Sequence, residues 1–233
     1  MRTAVRLFAF GLLLAPFAAE AADPGLTASL SVGGTSMQGL SAVDTTAVYL
    51  NMDAKNGYVV SGALGYQLPG PFRLAFNLDY GHNDLSGYFS QNVFTLVPCG
   101  ASTPCLDQNA NGDVSTLSGF GMAYVDLPVS MVLTPYVGLG VGFVNTDFDV
   151  GTRATLNSGT ASRFDILKST DTVLGYRGAV GLSYDLGAID LTADYSYTMT
   201  QRVGIAGKGT LTSFTFDPRI KVHTLRAGVT YSF

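Results

Sequence analysis

Between Thr224 and Phe233 apolar and polar side chains alternate without a break. Leu225, Ala227, Val229, Tyr231 and Phe233 fall on one face of a strand, and Thr224, Arg226, Gly228, Thr230 and Ser232 on the other. The same period of two recurs along the chain. Leu26, Ala28, Leu30 and Val32 oppose Thr27, Ser29 and Ser31; Tyr58, Val60, Leu64, Tyr66 and Leu68 oppose Ser61, Ala63, Gly65 and Gln67. Phe72, Leu74, Phe76, Leu78 and Tyr80 oppose Arg73, Ala75, Asn77 and Asp79. From Val114 to Leu127 the pattern sets Phe120, Met122 and Tyr124 against Gly119, Gly121 and Ala123, which predicts an apolar outer face and a small inner one. Pro135, Val137, Leu139, Val141 and Phe143 oppose Tyr136, Gly138, Gly140 and Gly142; Tyr176, Val180, Leu182, Tyr184 and Leu186 oppose Arg177, Ala179, Ser183 and Asp185. Ile189, Leu191, Ala193, Tyr195 and Tyr197 oppose Asp190, Thr192, Asp194 and Ser196. Eight strands are predicted, and no segment repeats apolar residues at helical spacing, so the class is all-β.

The connections discriminate between a soluble sandwich and a membrane barrel. Pro69–Pro71, Pro128–Met131 and Gly187–Ala188 read as tight turns, whereas about 38–55, 82–113, 149–171 and 198–217 read as long polar loops. Short and long take turns, as in a transmembrane barrel with short periplasmic turns and long outer loops. Each alternating core has about the length a tilted strand needs to cross a hydrocarbon layer. A sheet in lipid must close, because unpaired edge groups have no water to bond. The prediction is an eight-stranded antiparallel up-and-down transmembrane β-barrel in one domain, residues 22–233. With no Trp in the chain, the interfacial girdles fall to Tyr66, Phe72, Tyr184, Tyr231 and Phe233 at the lower rim, and to Tyr58, Tyr80, Phe143 and Tyr197 at the upper.

Composition adds the compartment. Arg2 and Arg6 precede a short apolar run from Leu7 to Phe17, and Ala19-Glu20-Ala21 supplies a small-x-small cleavage pattern, so residues 1–21 read as a signal peptide. The 13 Lys and Arg lose two with that leader and the 17 acids lose Glu20, leaving 11 against 16, every acid an Asp. A mildly acidic chain without a basic stripe is not expected to bind nucleic acid. Cys99 and Cys105, close together in a Pro- and Gly-rich segment, suit a local disulfide in an oxidising compartment.

The segments 223–233, Thr134 to Phe143 and Gly181 to Leu186 resemble the small eight-stranded outer-membrane barrels of the opacity-protein and OmpA type, a porin-like superfamily of adhesins, structural proteins and narrow channels. The resemblance covers the whole chain after the leader. It implies a monomer in the outer membrane of a Gram-negative cell, surrounded by outer-membrane lipid and lipopolysaccharide. It also implies that Phe233, with Tyr231, is the signal read by the barrel-assembly machinery. An adhesin-like contact with a host or cell-surface ligand would be carried by the loops.

Candidate chemistry is sparse. Arg73, Asp79, Arg177, Asp185, Asp190, Asp194 and Arg226 are predicted to face the lumen, Asp185 opposite Asp190 near the periplasmic mouth and Asp194 beside Arg226 nearer the middle. Two readings stay open: a charged constriction that selects solutes, or a salt-bridged filled core, which the narrow interior of eight strands favours. Asp107 to Asp113 matches half of a calcium loop, but position twelve is Ser118 rather than Glu. His82 with Asp84 and Ser86 has the residue types of a hydrolase site. Parity, however, turns His82 and His223 outward on strands that are not neighbours, so they cannot share a site. No cofactor, metal or catalytic residue is assigned. The expected role is envelope integrity with adhesion through the outer loops, foremost 82–113; the alternative is a narrow channel for small solutes.

Overall fold

The structure, a computed structural model, describes residues 24–43, 49–90, 106–127, 130, 132–155, 161–208 and 213–233. The expected leader and the Cys99–Cys105 disulfide lie outside these residues. Twelve strands and no helix are found among them: β1 (Gly25–Met37), β2 (Leu40–Val43), β3 (Tyr49–Ala54), β4 (Asn56–Gln67), β5 (Phe72–Ser90), β6 (Leu106–Asp126), β7 (Leu133–Thr155), β8 (Ala161–Asp185), β9 (Ile189–Arg202), β10 (Ile205–Lys208), β11 (Ser213–Phe216) and β12 (Arg219–Ser232). Eight of these, β1, β4, β5, β6, β7, β8, β9 and β12, form an antiparallel ring that the β1–β12 ladder closes.

The ring sorts the alternation. Leu26, Leu30, Leu64, Leu139 and Leu225 lie outside with 60–75% of their surface exposed, an arrangement unfavourable in water and ordinary against hydrocarbon. Thr27, Ser61, Asn77, Ser196, Thr224 and Thr230 are buried inside. At the lower rim the turns are tight, and Gly70 and Gly187 take φ of 91° and 101°, which a side chain would strain. Leu68 and Leu186 donate their amides to Phe72 and Ile189 to shut two of these turns at 2.9 and 3.0 Å.

Two expectations are overturned. Phe120, Met122 and Tyr124 point into the barrel, not out of it. Register decides this, because residues paired across a ladder share a face: Asn77, Ala75 and Arg73 on β5 stand opposite Phe120, Met122 and Tyr124. Space for them comes from β7, where a Cβ on Gly138 would overlap the Tyr124 ring and one on Gly140 the Met122 sulfur. The small residues Gly121 and Ala123 face lipid instead, and Gly119 on the same face lies beneath the Phe143 and Phe76 rings. Local alternation fixes the two faces of a strand but not which of them is inward when both are tolerable in lipid.

The long upper connections are, for the most part, strand rather than loop. β5 and β6 stay paired from Phe72–Val125 up to Tyr88–Asn109, and β7 and β8 up to Thr155–Ala161. β3 adds to β5 on one side of this extension and β10 touches β8 on the other. Above the bilayer the outer face of a strand meets water, so the oily outward stripe that marks a membrane segment ends while backbone pairing continues. The Asp107–Asp113 segment lies in β6, extended and paired from Asn109 onward, so it does not curl round an ion as a calcium loop must. An apolar layer closes the base of the extension: Met52, Leu85, Val114, Phe148, Val150, Val203 and Ile220 are almost wholly buried.

Candidate functional site

The lumen is built in layers by inward positions of successive strands. Lowest, Arg73 on β5 reaches Asp126 on β6 with Nε and Nη2 at 3.2 and 3.1 Å, and its guanidinium lies 4.6 and 5.1 Å from the ring centres of Tyr124 and Tyr136. Those two tyrosines meet edge to face. Such a two-oxygen contact flanked by aromatic faces holds an arginine in one orientation.

At mid-height Arg226 on β12 donates to Asp194 on β9, its register partner, at 3.0 Å through Nε and 2.7 Å through Nη2. Its Nη1 spans to Asp79 on β5 at 3.2 Å and to Ser61 at 3.4 Å. The other oxygen of Asp79 contacts Arg177 of β8 at 2.5 Å, and Arg177 also donates to Thr198 at 3.0 Å and lies 3.9 Å over the Phe120 ring. β5 is three ladders away from β12 in one direction and from β8 in the other. The Arg226–Asp79–Arg177 contacts therefore cross the barrel rather than follow its wall. Charges buried this deeply are tolerable because each faces an opposite charge.

Arg226 lines two cavities of about 50 and 40 Å³, one below and one above it. Ser29, Ser31, Thr192 and Thr230 help to line the lower; Val59, Val144 and Ile220 the upper. Each has room for a water or two.

Of the seven charged positions read from the sequence, the structure gathers Asp79, Arg177, Asp194 and Arg226 into this one layer. It leaves Arg73 in the layer below. Asp185 and Asp190 are register partners near the lower turn, where Asp185 is exposed and accepts the Gly187 amide at 2.6 Å. Sequence reasoning missed Asp126. It shares parity with Phe120, Met122 and Tyr124, and a carboxylate on a supposedly lipid-facing register was the signal that this register points inward.

At the upper rim the histidines lie on the outer face, separated by β4 and β1. His82 accepts or donates through Nδ1 to Ser115 at 3.1 Å and lies 3.8 Å from Asp84; Ser115, its register partner, takes the place expected for Ser86. The 3.8 Å gap exceeds a hydrogen bond, and Asp84 is mostly exposed. His82 and Ser115 sit within continuous ladders, whose amides are engaged rather than turned toward an oxyanion. His223 is held by Tyr195 Oη at 2.6 Å and Gln38 Nε2 at 3.2 Å, with the Tyr197 ring 5.0 Å away. At the lower rim Tyr231 and Phe233 pack edge to face at 4.9 Å, and the Phe233 amide donates to Leu26.

This architecture has known counterparts. Neisserial surface protein A is 18% identical and covers 91% of this chain and 100% of its own, with a TM-score of 0.50. The outer membrane protein OprG from Pseudomonas aeruginosa is 12% identical, covers 90% and 96%, and gives a TM-score of 0.56. At these identities the likeness concerns the fold. An uncharacterized protein of Brucella abortus is 27% identical over 212 residues, 82% of this chain and 74% of the relative. Residues 6–233 match the family described as outer membrane protein beta-barrel domain, and the chain belongs to that family.

Proposed function

We propose that the protein is a non-conducting, non-enzymatic surface barrel of the outer membrane, which supports envelope integrity and offers its extramembrane sheet for adhesion or host contact. The observation that carries this reading is the ionic brace at mid-height. Arg226 bonds both Asp194 beside it and Asp79 across the lumen, between two cavities each too small for a solute. A constriction that passed ions would expose unpaired charge of one sign; here cations and carboxylates are paired and the aromatic side chains of β6 occupy the remaining width. The extension of β5–β8 is the part of the chain available to a partner outside the cell.

Planar-bilayer recording tests the barrel half of the proposal: the expected result is a flat trace, and discrete steps abolished by Arg226→Ala would establish the channel reading instead. A deletion strain assayed for attachment and for detergent sensitivity tests the other half, with loss of both expected. Lipid A mass spectra unchanged by overexpression are expected of a non-enzyme.

A further inference from the structure

The outer face of the upper rim is electrically divided. On β5, β6 and β7, Asp84, Asp113 and Asp149 stand in direct cross-strand register, with Asp147 nearby and Lys168 of β8 opposite Asp149. On the flank of β1, β9 and β12, the row above the oily stripe carries Lys221, Arg219 and Arg202, the last two register partners and exposed. Among the described residues none of these three has an ion-pair partner. Every described acid of β9 faces the lumen, β1 and β12 contain none, and Asp217, exposed two residues before Arg219, is the nearest in sequence.

Below this cationic row lies a prebuilt shelf. Gln38 Nε2 and Tyr195 Oη hold the two ring nitrogens of His223, which fixes the imidazole at the level of Ser36 and Tyr197. Below it again, Leu225, Val32 and Leu30 project 61–67% exposed into the membrane. Read downward, this flank presents unpaired cations, then hydrogen-bonding rings, then aliphatic wall.

We infer that the β1–β9–β12 flank of the upper rim binds the phosphorylated headgroup of an outer-leaflet lipid, with Arg202, Arg219 and Lys221 on the phosphate, Gln38 and Tyr197 beside the sugar or glycerol, and the acyl chains along Leu225, Val32 and Leu30. Two features single out a membrane lipid rather than a free anion. The cations stand directly above lipid-facing side chains, at the height where headgroups lie, and clustered Lys and Arg at that height attract anionic headgroups. On the opposite flank Lys168 is the register partner of Asp149 and is accompanied by Asp84, Asp113 and Asp147, so the cationic row without carboxylate partners lies on one side only. The inference needs only the barrel's place in the outer membrane and is independent of adhesion and of conductance.

The test is native mass spectrometry of the full chain refolded in detergent micelles. It is titrated with bis-phosphorylated lipid A, with the same lipid stripped of phosphate, and with inorganic phosphate. Retention of the phosphorylated lipid is expected to exceed that of the stripped lipid about tenfold. Arg219→Glu with Lys221→Glu should lower retention by about tenfold or more, whereas Lys55→Glu with Lys168→Glu, an equal change in net charge elsewhere, should leave it within about twofold. Arg202→Gln supplies a milder version, about threefold, should the double variant not fold. Equal retention of the stripped lipid, or equal loss in the two double variants, overturns the assignment. Displacement of the lipid by millimolar inorganic phosphate overturns it in favour of a free-anion site.

Discussion

Strands β1, β4, β9 and β12 run 12 to 14 residues and end near the upper aromatic girdle, whereas β5, β6, β7 and β8 run 19 to 25 and continue beyond it. The interiors differ in the same way. The short half is lined by Ser and Thr, and the long half by Phe120, Met122, Tyr124 and Tyr136 set against the glycines of β7. Hydrocarbon thickness fixes a minimum length that both halves meet, while length above it is unconstrained by lipid and is spent on one side only. The two halves are joined across the lumen by Arg226 and Asp79, so the brace makes one rigid wall of two different linings.

Breaking that joint should have the largest effect. Asp79→Ala leaves Arg177 without its carboxylate and Arg226 with Asp194 alone, and is expected to lower unfolding free energy by about 3–5 kcal/mol, read from urea unfolding in lipid vesicles. An unchanged midpoint would mean that the two halves do not depend on the brace. Phe148→Ala, at the base of the extension, should cost about 3 kcal/mol locally. The expected sign is faster proteolysis of the extension with the barrel's own unfolding midpoint preserved; a fall in both would make extension and barrel one cooperative unit. Leu139→Arg places a charge on the lipid face of the long half and should cost at least about 2 kcal/mol of membrane stability, measured by the same unfolding. Tyr195→Phe removes only the hydrogen bond to His223 on the short half, for about 0.5–1.5 kcal/mol, visible as a shifted His223 imidazole resonance with the fold intact.

How far the sequence could be read follows from the solvent each segment meets. Where one face touches hydrocarbon and the other a polar lumen, as in 72–80 and 224–233, alternation is sharp and the inward residues are legible by parity. Arg226 beside Asp194 was accordingly predictable as a pair of neighbours. Where the inner face is itself apolar, as at Phe120, Met122 and Tyr124, both faces of the strand are tolerable in lipid, and local pattern assigns them the wrong way round. Above the membrane the faces exchange polarity, with Leu85, Val114, Phe148 and Val150 buried inside and Asp84, Asp113, Asp147 and Asp149 outside, so the oily outward stripe that marks a crossing segment ends and ladders such as Leu85–Gly112 and Val150–Leu167 read as loop.

The sequence by itself determined an all-β chain of eight membrane-length alternating segments joined by tight turns on one side, because lipid demands an apolar face and a closed ladder wherever a strand crosses it. Tertiary structure alone decided which face of β6 turns inward, how far β5–β8 rise above the rim, and that Asp79 meets Arg226 and Arg177 from the opposite wall. Those contacts join strands three ladders apart, and no spacing along a strand encodes the register and closure that bring them within reach.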